Sequence, residues 1–257
     1  MTPFLASVAL AGVSFASPSP TWGGIQGGVV LITTSLNLLQ APSFEQIETQ
    51  KTEAINKLTG FRGTYVMVSI PQEGTGTRQE VGLVISPDGR RTKLNVNGQD
   101  VAESAYNKKQ KWTAYLTEKV YELTVPEEGY PLPPITPPLR PAEGQMSLTI
   151  DDLGVRFATN PSPVVAPAVP ETLNGKKVTR YDAKALNPGS DSQVQITQWF
   201  DSGSYILRQF EITKTTKGRT SRILGYLVND QINSAVPISE FDFPSKYANT
   251  FRKITPQ

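Results

Sequence analysis

The sequence predicts an α+β fold in which most of the chain forms antiparallel β-structure. The clearest evidence is Val194–Pro244, where three runs rich in Ile, Val, Tyr, Phe and Thr alternate with two turn signals. The runs are Val194–Phe200, Tyr205–Thr213 and Ser221–Val228, and the turns are Asp201-Ser202-Gly203 and Thr216-Lys217-Gly218. Apolar residues fall on both faces of the second and third runs, so we expect other parts of the chain to cover each face.

A longer series of strands comes earlier in the chain. Phe61–Ile70 stops at Pro71, and Pro87-Asp88-Gly89 is a strong hairpin signal between the next two strands. The further predicted strands are Gln79–Ser86, Arg90–Val96, Val101–Tyr106, Lys111–Leu116, Val120–Val125 and, after the Asn174-Gly175 turn, Lys176–Tyr181. Together the strands number about nine to eleven.

A helix is predicted over Ser43–Leu58. Ser43 and Gln46 have the spacing of a capping box, and Gly60 ends the pattern. Its apolar stripe consists of Phe44, Ile47, Ile55 and Leu58. The stripe could face a ligand, or it could simply pack on a sheet.

Residues 127–170 form a Pro-rich insertion between the two strand series. Glu127–Pro141 must be extended, and Pro161–Pro170 is a second Pro/Ala/Val linker. Between them, Gln145–Phe157 is predicted as a short helix. The strands after the insertion are too few for a domain of their own, so we expect one sheet completed across it. We expect the insertion to be a surface loop dispensable for folding, with a PxxP peptide-ligand role as the alternative.

Composition excludes several kinds of chemistry. The 257 residues carry a net charge of +2 and contain neither Cys nor His. Catalytic triads with His, Cys nucleophiles and His- or Cys-ligated zinc are therefore excluded, and we expect no cofactor and no metal. The acidic pairs Glu127-Glu128 and Asp151-Asp152 could serve a glycosidase, but exposed loop acids are the simpler interpretation. Lys108–Lys111 is too short a basic run for nucleic acid.

Residues 1–42 are predicted to be a signal or other N-terminal apolar segment. Phe4–Ala16 is apolar and ends in Ser14-Phe15-Ala16, with small residues where a signal peptidase requires them, although no basic residue precedes it. One alternative places the signal core at Val29–Leu39 with a misplaced start codon. Another makes this segment a buried N-terminal helix.

Several short motifs resemble the LolA-like superfamily of periplasmic carriers and sensors. The C-terminal half has a Trp-Phe-Asp-x-Gly turn, a strand with Leu-Arg, a basic Gly hairpin, and Val-Pro-Ile-x-x-Phe-Asp-Phe-Pro. In the N-terminal half the matching pieces are Leu58–Tyr65, Ser86–Arg91, and Trp112 with Tyr115. Ser86 stands where the superfamily usually has a basic residue, so any role of that residue is not carried over.

The resemblance implies a curled, unclosed β-barrel in which the N-terminal helix and the short helix pack on or in the concave face. Residues 43–257 would form one such half-barrel domain. The implied function is that of a soluble, non-enzymatic envelope protein, periplasmic or otherwise exported, that holds lipid or lipoprotein acyl chains in an apolar cavity. We expect the cavity to be lined by Tyr65, Met67, Leu94, Val96, Trp112, Phe210 and Tyr226, although each could be ordinary core.

An envelope sensor or protein-interaction module on the same fold is the alternative function. Expected partners are lipid or lipoprotein acyl chains and envelope membrane proteins, without nucleic acid, and the protein is expected to be a monomer. Trp112 follows the basic residues Lys108, Lys109 and Lys111 and could anchor at a lipid headgroup.

The first prediction concerns the N-terminus. We expect the mature protein to lack at least residues 1–16, because the apolar start ends in the small residues of a cleavage site. Intact-mass measurement of the protein purified from its native host checks this. A full-length species beginning at Met1 and recovered from the cytoplasm would contradict it.

Overall fold

A large antiparallel sheet dominates the computed structural model. The model describes residues 8–9, 41–125, 141, 146–151, 154–186 and 192–255. The helices in these ranges are α1 (Phe44–Asn56), the 3-10 helix η1 (Ile238–Phe241) and α2 (Ser245–Thr250). The strands are β1 (Val8–Ala9), β2 (Phe61–Ile70), β3 (Thr77–Ser86), β4 (Gly89–Val96), β5 (Gln99–Asn107), β6 (Lys111–Tyr115), β7 (Val120–Thr124), β8 (Met146–Asp151), β9 (Gly154–Thr159), β10 (Val164–Val165), β11 (Val169–Leu173), β12 (Lys176–Leu186), β13 (Ser192–Asp201), β14 (Leu207–Thr216), β15 (Arg219–Ile232) and β16 (Arg252–Lys253).

The main sheet joins the two strand series through one long pairing. Its order is β10-β12-β13-β14-β15-β2-β3-β4-β5-β6-β7-β16, with β11 also paired to β12. β15 runs antiparallel to β2 from the Arg222–Ile70 pair to the Ile232–Phe61 pair. The two ends of the order do not pair with each other, so the sheet is unclosed. Short strands lie along both ends, β10 and β11 on β12 and the parallel strand β16 on β7.

Helix α1 begins at the predicted capping box. The backbone N–H of Gln46 donates to Ser43 Oγ at 3.2 Å, and the N–H of Ser43 donates to Gln46 Oε1 at 2.7 Å. These bonds satisfy two donors that a helix start otherwise leaves unpaired. The predicted helix is therefore confirmed, and its apolar stripe is buried.

The mostly antiparallel fold with an N-terminal helix is confirmed, whereas the predicted number of strands is too low. Sixteen strands lie within the described residues, compared with the nine to eleven expected. Phe61–Ile70 has the predicted bounds. The prediction lacked β1, β10, β11 and β16, which contain only two to five residues and are too short for a periodic pattern to stand out, and it lacked β8 and β9.

The predicted short helix over Gln145–Phe157 is wrong, because β8 and β9 form an antiparallel hairpin there. In β8 the burial alternates, with Met146, Leu148 and Ile150 inside and the two residues between them half-buried. That period of two belongs to a strand. The hairpin packs in the main core, so at least this part of the 127–170 insertion is not a surface loop. The Pro-dense residues 127–140 lie outside the described residues.

We call α1 and the β8–β9 hairpin the plug, and the sheet face that they cover the inner face. The plug and the inner face share one core cluster, in which the Phe157 ring meets the Phe210 ring edge-on at 5.2 Å. The plug supplies Phe44, Ile47, Ile55, Met146, Leu148, Ile150, Val155 and Phe157.

The outer face carries a second, smaller core beneath residues 234–255, which we call the C-terminal segment. Trp112 Nε1 donates to the Phe241 carbonyl at 2.9 Å, and the Trp112 ring meets the Phe243 ring edge-on at 5.8 Å. Asn107 Nδ2 donates to Asp242 Oδ1 at 3.1 Å. The Phe-Asp-Phe-Pro motif is thus a structural anchor on this face.

The second prediction tests the packing across β14 and β15. A Cβ added at Gly225 would lie 2.1 Å from the Phe210 ring, whereas one added at Gly82 meets nothing closer than 3.9 Å. Gly225→Ala should therefore lower the free energy of unfolding by about 1–3 kcal/mol through overpacking. Gly82→Ala is the matched control and should be neutral or slightly stabilising. Urea denaturation measures both, and equal effects of the two substitutions would contradict this packing.

Candidate functional site

The structure brings five of the seven predicted lining residues together on the inner face. Strand register places Val96, Gln79, Met67, Gly225 and Phe210 in one row across β4, β3, β2, β15 and β14. A neighbouring row runs from Leu94 through Val81 to Tyr65. Residues paired directly across neighbouring strands point to the same face. Tyr65, Met67, Leu94, Val96 and Phe210 therefore form one patch.

Trp112 and Tyr226 are not part of that patch. Tyr226 pairs with Val66 and Gln209, which alternate with the inner-face residues, so its side chain lies on the outer face. Trp112 belongs to the outer core and is 1% exposed. Neither side chain can line a cavity under the plug.

Burial falls from the centre of the patch toward β4. Tyr65, Met67 and Phe210 are buried in the main core. Leu94 is half-buried and packs against that core, and Val96 is half-buried at the end of its strand. The patch is therefore a continuous apolar surface that is sealed in the middle and reaches solvent at one side.

The Tyr65 phenol is a fixed donor inside this patch. Its hydroxyl donates to the Leu207 carbonyl at 2.9 Å. Burial raises the pKa of Tyr65 above its usual value, which keeps the phenol protonated at all physiological pH values. Because this hydrogen bond holds the ring in place, Tyr65 forms a rigid part of the patch and does not act as a movable polar contact.

A buried polar cluster ties the plug to the inner face. Lys51 Nζ donates to Glu48 Oε2 at 2.6 Å and to Gln198 Oε1 on β13 at 3.4 Å. The backbone N–H of Phe157 on β9 donates to the same Glu48 oxygen at 2.9 Å. The ammonium also lies 4.5 Å from the centre of the Phe157 ring. One carboxylate and one ammonium thus connect α1, the hairpin and the sheet.

Two effects act in opposite directions on the pKa of Lys51. Burial lowers the pKa of Lys51, and the Glu48 carboxylate beside it works in the opposite direction. On the hairpin, Arg156 pairs with Asp151, and both side chains are buried. Glu48 and Lys51 therefore lie between α1 and the inner face, and a second buried ion pair lies on the hairpin.

Sequence reasoning missed this polar cluster, although α1 carried a signal for it. Glu48 and Lys51 are three residues apart and fall between Ile47 and Ile55 on the apolar face of the helix. Charged residues within an apolar stripe indicate buried partners. Those partners, Gln198 and the Phe157 amide, are more than 100 residues away and could not be named from spacing.

Other kinds of site are not seen in the described part of the chain. No group of three or more Asp or Glu side chains there could hold a metal ion. Within the same residues, no helix is both long enough and apolar enough to cross a membrane. The inner face is an apolar surface that contacts the buried Glu48–Lys51 pair of α1.

Comparisons with known proteins find similarity at the level of solved structures alone. No family model matches the chain, and no curated protein matches it. An uncharacterised conserved protein from Thermus thermophilus is 7% identical, with a TM-score of 0.45 over 82% of this chain and 98% of the other. Lipoprotein LppX from Mycobacterium tuberculosis is 13% identical, with a TM-score of 0.35 over 76% and 100%.

A third similar structure is a LolA superfamily protein from Nitrosomonas europaea. It is 7% identical to this chain, with a TM-score of 0.32 over 79% of this chain and 99% of the other. That protein is named for the superfamily that the motifs of the present sequence resemble.

The third prediction concerns the buried ion pair. Lys51→Met leaves the Glu48 carboxylate buried without its cation, which should cost about 3–5 kcal/mol of unfolding free energy. The double variant Glu48→Gln/Lys51→Met should recover part of that loss, because the amide oxygen can still accept from the Phe157 N–H. Urea denaturation of the two single variants and the double variant gives the coupling energy.

A matched control lies on the same helix. Glu53 and Lys57 form an exposed pair at 3.5 Å, and removing either charge should change stability by less than about 1 kcal/mol. If Lys51→Met were as mild as Lys57→Met, the buried pair would not fasten the plug.

Proposed function

We propose that this protein is an exported, non-enzymatic binding protein that holds acyl chains of a lipid or lipoprotein between the inner face and the plug. The observation that carries the proposal is the apolar patch that runs from half-exposed Leu94 to buried Met67 and Phe210. A surface that is continuous from solvent to core gives an alkyl chain a path of entry without any dedicated polar contact.

The plug is suited to being displaced by such a chain. It is connected to the sheet by side-chain packing, by the Glu48–Lys51 cluster and by a hydrogen bond from Arg90 on β4 to Asn56 at the end of α1, and β8 and β9 belong to a sheet separate from the main one. A buried ion pair often stabilises an interface no more than apolar residues of the same volume do. Lifting the plug therefore breaks no strand pairing of the main sheet, and the Glu48 and Lys51 side chains become hydrated as it opens.

Burial of the chain itself supplies enough free energy. Each methylene contributes about 0.8 kcal/mol, so about ten of them give about 8 kcal/mol before the cost of association is subtracted. This contribution is not directional, so the protein could accept chains of different length. A carrier in the cell envelope needs this tolerance. We place the protein in the periplasm or another exported compartment, where it acts as a monomer.

The fourth prediction tests the entry path. Leu94→Lys puts a charge at the half-exposed edge of the patch and should weaken binding of a fluorescent fatty acid at least about tenfold, because the ammonium must be desolvated. Leu224→Lys is the matched control, since Leu224 is a half-buried leucine on the outer face of β15. Titration followed by fluorescence measures both affinities, and thermal unfolding verifies that both variants fold.

A second variant tests the interior. Met67→Trp adds bulk beside Phe210 and should block uptake even where Leu94 is unchanged. If the wild-type protein takes up no fatty acid and Met67→Ala is strongly destabilising, the inner face is a filled core. The interaction-module function would then replace the lipid-binding one.

A further inference from the structure

The outer face of β12–β14 contains a polar groove that the lipid-binding proposal does not use. Its volume is about 440 Å³, within the range of about 300–1,000 Å³ typical of small-molecule sites. It lies on the face opposite the plug, because its residues alternate with those of the main core. Its lining residues are Arg180, Asp182, Gln195, Thr197, Trp199, Glu211 and Thr213.

Trp199 forms a fixed aromatic wall of this groove. Its Nε1 donates to Glu171 Oε2 on β11 at 2.9 Å, and Glu171 in turn pairs with Arg180. Trp199 is half-buried and lines the groove. A ring held this way loses little conformational entropy when a flat apolar surface stacks on it.

The polar side chains around the ring are also held in place. Arg180 Nε donates to Asp182 Oδ2 at 3.0 Å, and Thr197 Oγ1 donates to Asp182 Oδ1 at 2.8 Å. On the neighbouring strand, Arg222 donates to Glu211 Oε2 at 2.7 Å. These fixed carboxylates and guanidinium groups present paired donors and acceptors at defined positions.

The groove follows the direction of β13. Gln195, Thr197 and Trp199 are alternate residues of this strand, and the neighbouring strands β12 and β14 supply the other lining residues. Four residues of extended strand separate Gln195 from Trp199, which amounts to about 13 Å. The groove is therefore long enough for a disaccharide unit.

We propose that this groove binds a linear oligosaccharide of pyranose units, laid along β13 from Trp199 toward Gln195. The C–H face of one sugar stacks on the indole, and the hydroxyls of this and the following sugars bond to fixed acceptors and donors such as Asp182, Arg180 and Gln195. Asp182 and Glu211 disfavour a phosphate or a nucleic acid here, because they add negative charge to the groove. The polar lining disfavours an acyl chain.

The experiment titrates the ¹⁵N-labelled full chain separately with chitotetraose and cellotetraose while recording amide chemical shifts. We expect at least one of the two to shift the amides of β12–β14 around Trp199, and the amides of the plug to stay unchanged. Trp199→Leu should weaken binding about tenfold or more through loss of the stacking surface.

Gln195→Ala is the second variant, because Gln195 lies on the groove surface and its truncation leaves the core intact. It should weaken binding measurably, while Gln231→Ala at an exposed position of β15 should not. If neither oligosaccharide shifts any amide, or if the shifts map to the inner face, the proposal is overturned. Equal affinities for Gln195→Ala, Gln231→Ala and wild type would also overturn it. The lipid-binding proposal concerns the opposite face, so the fatty-acid experiments test it independently of the oligosaccharide proposal.

Discussion

The pairing of β15 with β2 is the constraint on which the rest of the structure depends. These two strands come from opposite ends of the described chain, and their register runs from Arg222–Ile70 to Ile232–Phe61. Because strand side chains alternate, this one register decides which residues of both strand series share a face. It places Met67 beside Gly225 and Phe210, and it places Tyr226 on the other side of the sheet.

The inner and outer faces of the main sheet both carry apolar residues, and a separate region of the chain packs on each face. The plug covers the inner face with a helix and a hairpin, and the C-terminal segment covers part of the outer face through Trp112, Phe241 and Phe243. The outer cover rests on backbone and aromatic contacts such as the bond from Trp112 Nε1 to the Phe241 carbonyl. Both covers include buried charge: Glu48 and Lys51 lie under the plug, and under the C-terminal segment Glu103 pairs with Arg91 and accepts from the Tyr247 hydroxyl.

Local signals predicted a large part of this fold. Ser43 with Gln46 located the start of α1, Phe61–Ile70 gave β2 its bounds, and Lys217-Gly218, both with positive φ, formed the turn between β14 and β15. The face of a strand residue was harder to predict where both faces are apolar, as for Tyr226, because only the register with distant strands assigns it. The β8–β9 hairpin is harder to predict, because the spacing of Leu148, Leu153 and Phe157 in the sequence also fits a helical stripe. The groove around Trp199 went unnoticed because its residues come from separate strands.

The short strand β16 covers the start of the edge strand β7. Its parallel pairing occupies the start of β7, the last long strand at that end of the sheet, and the N–H groups of Arg252 and Ile254 donate to the carbonyls of Lys119 and Tyr121. Protease cleavage near Pro244 would release this strand together with Tyr247 and Phe251. The shortened molecule would present an unpaired strand edge next to newly exposed aromatic rings, a combination that promotes self-association.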